Sequence, residues 1–543
     1  MSSLSVIASG AAADAVSRHV ATLVSDSVAS RLFAQDSTLW GPDAEDEAGK
    51  RLSWVGLPRS SRPLVGEIAA LHDTLSGRGL DHVVLCGMGG SSLAPEVICA
   101  SAGKDIVILD SSDPDYVRSA LAERLDRTIV VVSSKSGSTV ETDSQRRAYE
   151  QAFQDAGIDP SQRIVVVTDP GSPLDREARS RGYHVVNADP DVGGRYSALT
   201  AFGLVPSGLA GVDVEALLDD AESVADLLAV DDEANPGLRL GAALAGTQPL
   251  RDKIVLLEDG SGIVGFPDWA EQLIAESTGK QGTGLLPVVV AGDDAPEVRS
   301  PQPDVTIARL VAADDDVRPT GTVASEVRVS GTLATQMLLW EVATAVAGRL
   351  LGINPFDQPD VESAKQAARD LLGQAAGSGS APDATDGAVE IRALGGDWLG
   401  TAVTVEDAVS ALLSQLDESS GYVAVMAYLD RLVDADLAQC RQWIAERTGR
   451  PTTFGWGPRF LHSTGQFHKG GPAVGVYLQV TAEPRDDLDV PGRDFSFGQF
   501  IAAQAAGDAN VLADHGRPVL RLHLTEHDRG LAEVRSALGG GSR

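Results

Sequence analysis

The chain has 543 residues, 43% of them hydrophobic, which is too long for a single core and implies two to four units that each bury one. Asp and Glu number 77 against 44 Lys and Arg, a formal net charge of −33. So acidic an exterior argues against nucleic acid or an anionic membrane as partner, because both call for a cationic surface.

Residues 1–60 are predicted to be helices and loops. Ala11 to Arg31 alternates apolar and polar residues at helical spacing and should pack on whatever follows. From 61 to 200, short apolar runs alternate with helical segments, with strands expected at 83–86, 106–109, 129–132, 164–167 and 184–186. Apolar runs bounded by turns are strands buried on both faces. Their alternation with helices implies right-handed parallel βαβ units, hence an α/β fold with a doubly wound sheet of about five strands. A second α/β unit is expected over 201–370, with strands at 254–258, 286–290 and 306–311 and a helix at 268–276. The long apolar stretch 331–352 contains Gln336, Glu341 and Arg349, so it reads as a core helix rather than a membrane span. Residues 371–390, small and polar from Gly373 to Pro382, read as a flexible linker or loop. An α/β C-terminal region over 391–543 should follow, with strands at 422–428, 474–479 and 520–524 and a helix at 437–447.

Cys86, Cys99 and Cys440 lack CxxC spacing and are too few for a disulfide frame, which suits a reducing cytoplasm. The amino end has no basic stretch ahead of an apolar run, so no signal peptide is expected.

The chemistry gathers in six blocks. Gly87-Met88-Gly89-Gly90-Ser91-Ser92 follows a strand and opens a helix. Its glycines let the backbone approach a ligand, and its N–H groups form an anion site. It also resembles the G-x-G-x-x-G dinucleotide fingerprint, with Asp110 ending the next strand, but Ser92 stands where close helix packing wants Gly or Ala. Some forty residues on, Ser134-Lys135-Ser136-Gly137-Ser138-Thr139 repeats the design with hydroxyls. One such turn reads equally as a helix cap; two at the ends of parallel strands favour a phosphate monoester. Gly193-Gly194-Arg195-Tyr196-Ser197 supplies a permanent cation suited to a pair of oxygens. Gln272 and Glu276 share one helix face, and Glu276 lies near the helix C-terminus, where the negative dipole end makes a carboxylate a better base. Phe356 to Lys365 adds a flexible donor in Lys365. His462 and His468 sit among glycines and hydroxyls with no carboxylate or cysteine placed to complete a zinc site, so no metal is expected and acid–base work fits.

Together these blocks resemble the glucose-6-phosphate isomerase family, built from sugar-isomerase (SIS) domains. Gly87 to Ser91 and Ser134 to Thr139 look like its phosphate-binding turns, and Gly193 to Ser197 like its G-G-R-[FY]-S signature. Gln272 to Lys280 looks like its Q-x-x-x-E-S-N-G-K block, with Thr278 for Asn. Phe356 to Lys365 looks like its F-D-Q-x-G-V-E-x-x-K block, with Asp360 for Gly. The overall look is closest to the actinobacterial type related to the isomerase half of transaldolase–isomerase fusions. His462 follows the lysine block, whereas the family's histidine precedes it. The resemblance implies two SIS-type sandwiches and a sugar phosphate held by Gly89, Gly90, Ser91, Ser134, Lys135, Ser136, Ser138, Thr139 and Gln272. It further implies ring opening by His462 with Lys365, proton transfer by Glu276, and an oxyanion held by Arg195. No cofactor is implied, and a homodimer is, with a histidine crossing from the partner. The alternatives are an isomerase that also accepts mannose 6-phosphate and a sugar-phosphate sensor without catalysis, which would not need Arg195, Glu276 and Lys365 together.

Overall fold

A computed structural model of the chain describes residues 4–312, 324–360, 372 and 381–540. Strand β1 (Ser5–Gly10) opens the chain. The first sheet comprises β2 (His82–Gly87), β3 (Val107–Leu109), β4 (Thr128–Ser133), β5 (Ile164–Thr168) and β6 (His184–Asn187). Its order is β3-β2-β4-β5-β6, parallel throughout. Every residue of β2 and β4 is buried, as continuous β-branched runs between two helical layers require. The chain leaves β2 towards β3 and then crosses back to β4. The β2/β4 gap is therefore the point where the winding reverses, and Gly87 pairs with Ser133 at its carboxyl end.

The second sheet holds β7 (Lys253–Asp259), β8 (Leu286–Val289), β9 (Val305–Val311) and β10 (Ser325–Ser330) in the order β1-β10-β9-β7-β8. β1 closes its edge antiparallel to β10. The amino-terminal segment thus begins as a strand of the second unit before its helices, Ala11–Ser25 and Val28–Phe33. Only Val6 of β1 is buried, so its sequence carries a weak apolar signal, and its partner lies 325 residues away. The Leu333–Leu351 helix is buried from Ala334 to Gly348 and serves as core. Among the described residues, no helix is long and apolar enough to cross a membrane.

The third sheet is built from β11 (Ala384–Asp386), β12 (Val389–Leu394), β13 (Tyr422–Tyr428), β14 (Thr452–Trp456), β15 (Gly475–Ala482) and β16 (Val519–Leu524). Its order is β11-β12-β16-β15-β13-β14. The described part of the stretch read as a linker therefore carries β11 and the start of β12, paired as a hairpin. β14-β13-β15-β16 followed by antiparallel β12 repeats the order β8-β7-β9-β10 followed by antiparallel β1. The third unit is thus wound like the second.

This third unit shares a core with the second. Val255, Leu257, Leu286, Val288 and Ile307 pack in one cluster with Tyr422, Met426, Phe460 and Phe467. At its margin Arg441 Nη1 donates to Glu297 Oε1 at 2.6 Å, and the same oxygen accepts the Thr452 amide at 3.2 Å. Both charged side chains are largely shielded from water, so each depends on the other. Glu297→Ala should lower stability in urea denaturation by about 3–5 kcal/mol, the cost of leaving one buried charge unpaired; an unchanged midpoint would show that Arg441 reaches water.

Candidate active site

The two turns leave neighbouring parallel strands side by side. The Gly90–Ser101 helix starts from Gly89, at φ 58°, and the Val140–Asp155 helix starts from Thr139; neither is capped by a side chain. Two helix N-termini with N–H groups to spare therefore face one crevice. In the second turn Ser134 Oγ accepts the Gly137 amide at 3.1 Å and lies 3.4 Å from Thr139 Oγ1. Ser136 and Ser138 are exposed, with their hydroxyls 2.7 Å apart. Ser91 is partly buried in the first turn of its helix. Lys135 points to another group of oxygens: its ammonium donates to the carbonyls of Pro190 and Val192 and lies 3.1 Å from Asp169.

The glycines of the first turn are there for close approach. A Cβ on Gly90 would stand 1.9 Å from the Gly194 carbonyl oxygen, so the Gly193–Ser197 loop seats directly on this turn. A Cβ on Gly89 would stand 2.9 Å from Gln272 Nε2 and 3.1 Å from the His462 Cβ. The phosphate-type turn, the glutamate helix and the histidine segment thus meet at Gly89. Asp110, the candidate ribose acid of a dinucleotide site, is buried and accepts Arg459 Nη1 at 2.8 Å. That contact removes it from the role.

Glu276 projects from the Phe266–Thr278 helix into this meeting point. Its Oε2 accepts Gln272 Nε2 at 3.0 Å, and its Oε1 lies 3.2 Å from Arg195 Nη1. Gln272 Nε2 also donates to the His462 carbonyl at 2.7 Å, tying Glu276 to the histidine segment. Arg195 is 3% exposed and anchored on Ser277 Oγ, Gln358 Oε1 and the carbonyls of Pro355 and Asp357. The loop that carries it is fixed by Tyr196, stacked on Trp54 with ring centroids 5.0 Å apart and packed on Phe356. The amino-terminal segment therefore braces the arginine loop.

His462 follows β14 in the third unit, and its Nε2 lies 3.2 Å from Glu141 Oε1. An ionised carboxylate only accepts, so Nε2 carries the proton. Gln504 Nε2 donates to the same Glu141 oxygen at 2.7 Å, and Gln504 Oε1 accepts from Ser112 Oγ at 2.8 Å. His468 is elsewhere: buried on Tyr422 and Tyr477, with burial pushing its imidazole well below its ordinary range, it is a core residue. Lys365 lies outside the described residues. Among those described, no group of three His, Cys, Asp or Glu side chains could hold a metal ion, and the three cysteines are free and buried.

Sequence reasoning gave no role of their own to four polar residues. Glu141 and Gln504 carry no local signal, because their partner is set by the packing of distant units. Lys280 closes the Asn354–Asp357 turn, its Nζ donating to the carbonyls of Asn354 (2.8 Å) and Asp357 (2.6 Å) and to Asp357 Oδ1 (2.7 Å). Burial and the nearby Arg195 charge bring its ammonium down to about 8. Glu271 accepts from Ser463 Oγ at 3.4 Å. Although only partly buried, its carboxyl is desolvated and faces Asp268, which pushes it up to about 8.

Two facing helix N-termini beside a braced carboxylate and a carboxylate-paired imidazole form a site for moving protons on an anionic substrate. The comparisons agree with that class. The sequence model of the family described as Phosphoglucose isomerase matches residues 66–245. A probable glucose-6-phosphate isomerase of Natronomonas pharaonis is 30% identical over 382 residues, 61% of this chain and 89% of its own length. The glucose-6-phosphate isomerase of Rubrobacter xylanophilus is 29% identical over 408 residues, 63% of this chain and 92% of its own. A hypothetical protein of Thermus thermophilus has the same fold, with a TM-score of 0.57 at 24% identity over 67% of this chain and 97% of its own. A glucose-6-phosphate isomerase of Chlamydia trachomatis superposes with a TM-score of 0.50 at 22% identity, covering 58% of this chain and 74% of its own. The chain belongs to the phosphoglucose isomerase family.

The Glu271 environment has a sign that can be measured. Between about 4.5 and about 8 the folded chain keeps this proton while the unfolded chain has released it, so stability falls as pH rises through that window. Glu271→Gln removes this contribution. The variant should gain on the parent chain in melting temperature between pH 5 and pH 9, and a pH-independent difference would show a solvated carboxylate.

Proposed function

We propose that the chain is an aldose–ketose isomerase that interconverts glucose 6-phosphate and fructose 6-phosphate through a cis-enediol. One observation carries the reading: the Glu276 carboxylate, held by Arg195 and Gln272, adjoins the crevice between two uncapped helix N-termini. The substrate phosphate docks on Ser91, Ser134, Ser136, Ser138 and Thr139 and on the N–H groups opening the two helices, including those of Gly89 and Gly90. Lys135 adds positive potential from the rim. A phosphate far from the reacting carbons turns binding energy into their orientation.

His462, aided by Lys365, opens the ring by taking the O1 proton and supplying one to O5. Glu141 holds the imidazole in register. Glu276 takes the C2 proton and returns it at C1, while a proton moves from O2 to O1. Arg195, with donors engaged around Glu276, fixes the base and lends positive charge to the enediolate oxygens. The reaction is an internal transfer that conserves electrons, so it calls for no cofactor. A homodimer is the assembly carried over from the resemblance, and the cytoplasm is the place that three cysteines without a disulfide frame suit.

Glu276→Gln keeps the size of the side chain and its hydrogen bond to Gln272 but removes the base. Turnover of fructose 6-phosphate, read in a coupled assay, should fall by about 10²–10⁴-fold. Binding of fructose 6-phosphate, read by calorimetry, should persist. Turnover at the parent rate would refute the base assignment.

A further inference from the structure

We propose that the third unit is a wall of the active site of its own chain, delivering His462 and clamping Glu141 with Gln504, so that the histidine and the glutamate of one site belong to one chain. The inference rests on the isomerase reading and departs from the resemblance, which implies a histidine crossing from the partner.

The third unit is seated on the other two by matched charge as well as by the shared core. Four of its arginines each meet a carboxylate of an earlier unit. Arg431 lies 2.9 Å from Glu96 on the first unit, and Arg459 reaches both Glu96 and Asp110. Arg441 meets Glu297 at 2.6 Å and Arg450 meets Asp304 at 2.5 Å on the second. In the reverse direction, Lys253 Nζ of the second unit donates to the Ser420 carbonyl at 2.7 Å. Arg118 of the first donates to the carbonyls of Asp486 and Asp487 at 2.7 and 3.0 Å. Asp110 and Glu297 are almost wholly shielded from water, and such charges are retained only where their partners are permanent.

This register determines where the catalytic segment falls. Arg459 anchors the residue that begins the Arg459–His462 turn, so His462 is set by an ion pair three residues upstream. On its other side, Gln466 Nε2 donates to the Gly279 carbonyl at 2.9 Å, and the Gly282 amide donates to the Gly470 carbonyl at 2.9 Å. These contacts fasten the segment to the end of the Glu276 helix. Between the anchors, the His462 carbonyl accepts from the Gln272 amide and its ring donates to Glu141. Gln504, from the Phe497–Asp514 helix of the third unit, then fills a second direction around the same Glu141 oxygen. A hydrogen-bonded line therefore runs from Gln504 through Glu141, His462 and Gln272 to Glu276. It enters the third unit twice and uses one chain throughout.

Subunit complementation tests this. Glu276→Gln and His462→Ala chains, each with its own affinity tag, are co-expressed and purified through both tags and as single species; His462→Asn substitutes if the alanine chain does not fold. Each single variant should lose about 100-fold or more in turnover. The mixture, whether or not the two chains associate, should show only the sum of the two residual activities. Recovery well above that sum would mean that the histidine of one copy serves the glutamate of another, and would overturn the inference. So would a His462→Ala chain with the parent rate. An inactive parent chain would instead refute the isomerase reading, and the parent is assayed first.

Discussion

A buried guanidinium with four hydrogen bonds inside the protein and an ion pair to the Glu276 carboxylate is the constraint from which the rest of the site follows. Arg195 Nε binds Ser277, Nη1 lies between Gln358 and Glu276, and Nη2 takes the carbonyls of Pro355 and Asp357. Burying such a charge is costly unless every donor is met. Here the acceptors come from the glutamate helix and from the 355–358 turn, and the loop that carries the arginine rests on the first phosphate-type turn through Gly90. Three segments far apart in sequence are thereby locked around one carboxylate. A catalytic base needs such preorganisation, because a carboxylate free to rotate would lose its alignment with the carbon it must deprotonate.

The same logic extends outward through Gln272. Its amide has two protons to give and uses them on Glu276 and on the backbone of the histidine segment, so the carboxylate and the histidine segment are spaced by one rigid group. Winding sets the location. In the first sheet the chain reverses direction between β2 and β4, and ligands of open α/β sheets bind at the crevice such a reversal leaves. The second and third units repeat the winding, yet among the described residues neither brings two hydroxyl-rich turns to its reversal. They contribute side chains to the first unit's crevice instead.

The blocks were legible where physics is local. β2 and β4 read as strands because a parallel strand buried on both faces must be continuously apolar, and the turns after them because glycine and hydroxyl clusters serve close approach and anion binding. Strand β10 escaped because Glu326 and Arg328 break the apolar pattern, although Glu326 is buried against Arg309. Glu141 lies in a helix first turn, where acidic residues are common for local reasons. Its partner His462 lies 321 residues away, and no local pattern encodes that distance. Gln504 is one polar residue in an alanine-rich helix, indistinguishable from a solvent-facing one until the third unit is docked. The histidine block itself was visible, but its place after the lysine block made sense only once the third sheet brought β14 beside the second.

The most direct measurement is a crystal structure with fructose 6-phosphate bound. The account predicts the phosphate at the turns 87–91 and 134–139, accepting from the opening N–H groups of both helices. It also predicts the Glu276 carboxylate about 3–3.5 Å from C1 or C2, the range of a near-attack geometry. A phosphate seated elsewhere, or a sugar whose C1 and C2 lie beyond the reach of Glu276, would contradict it.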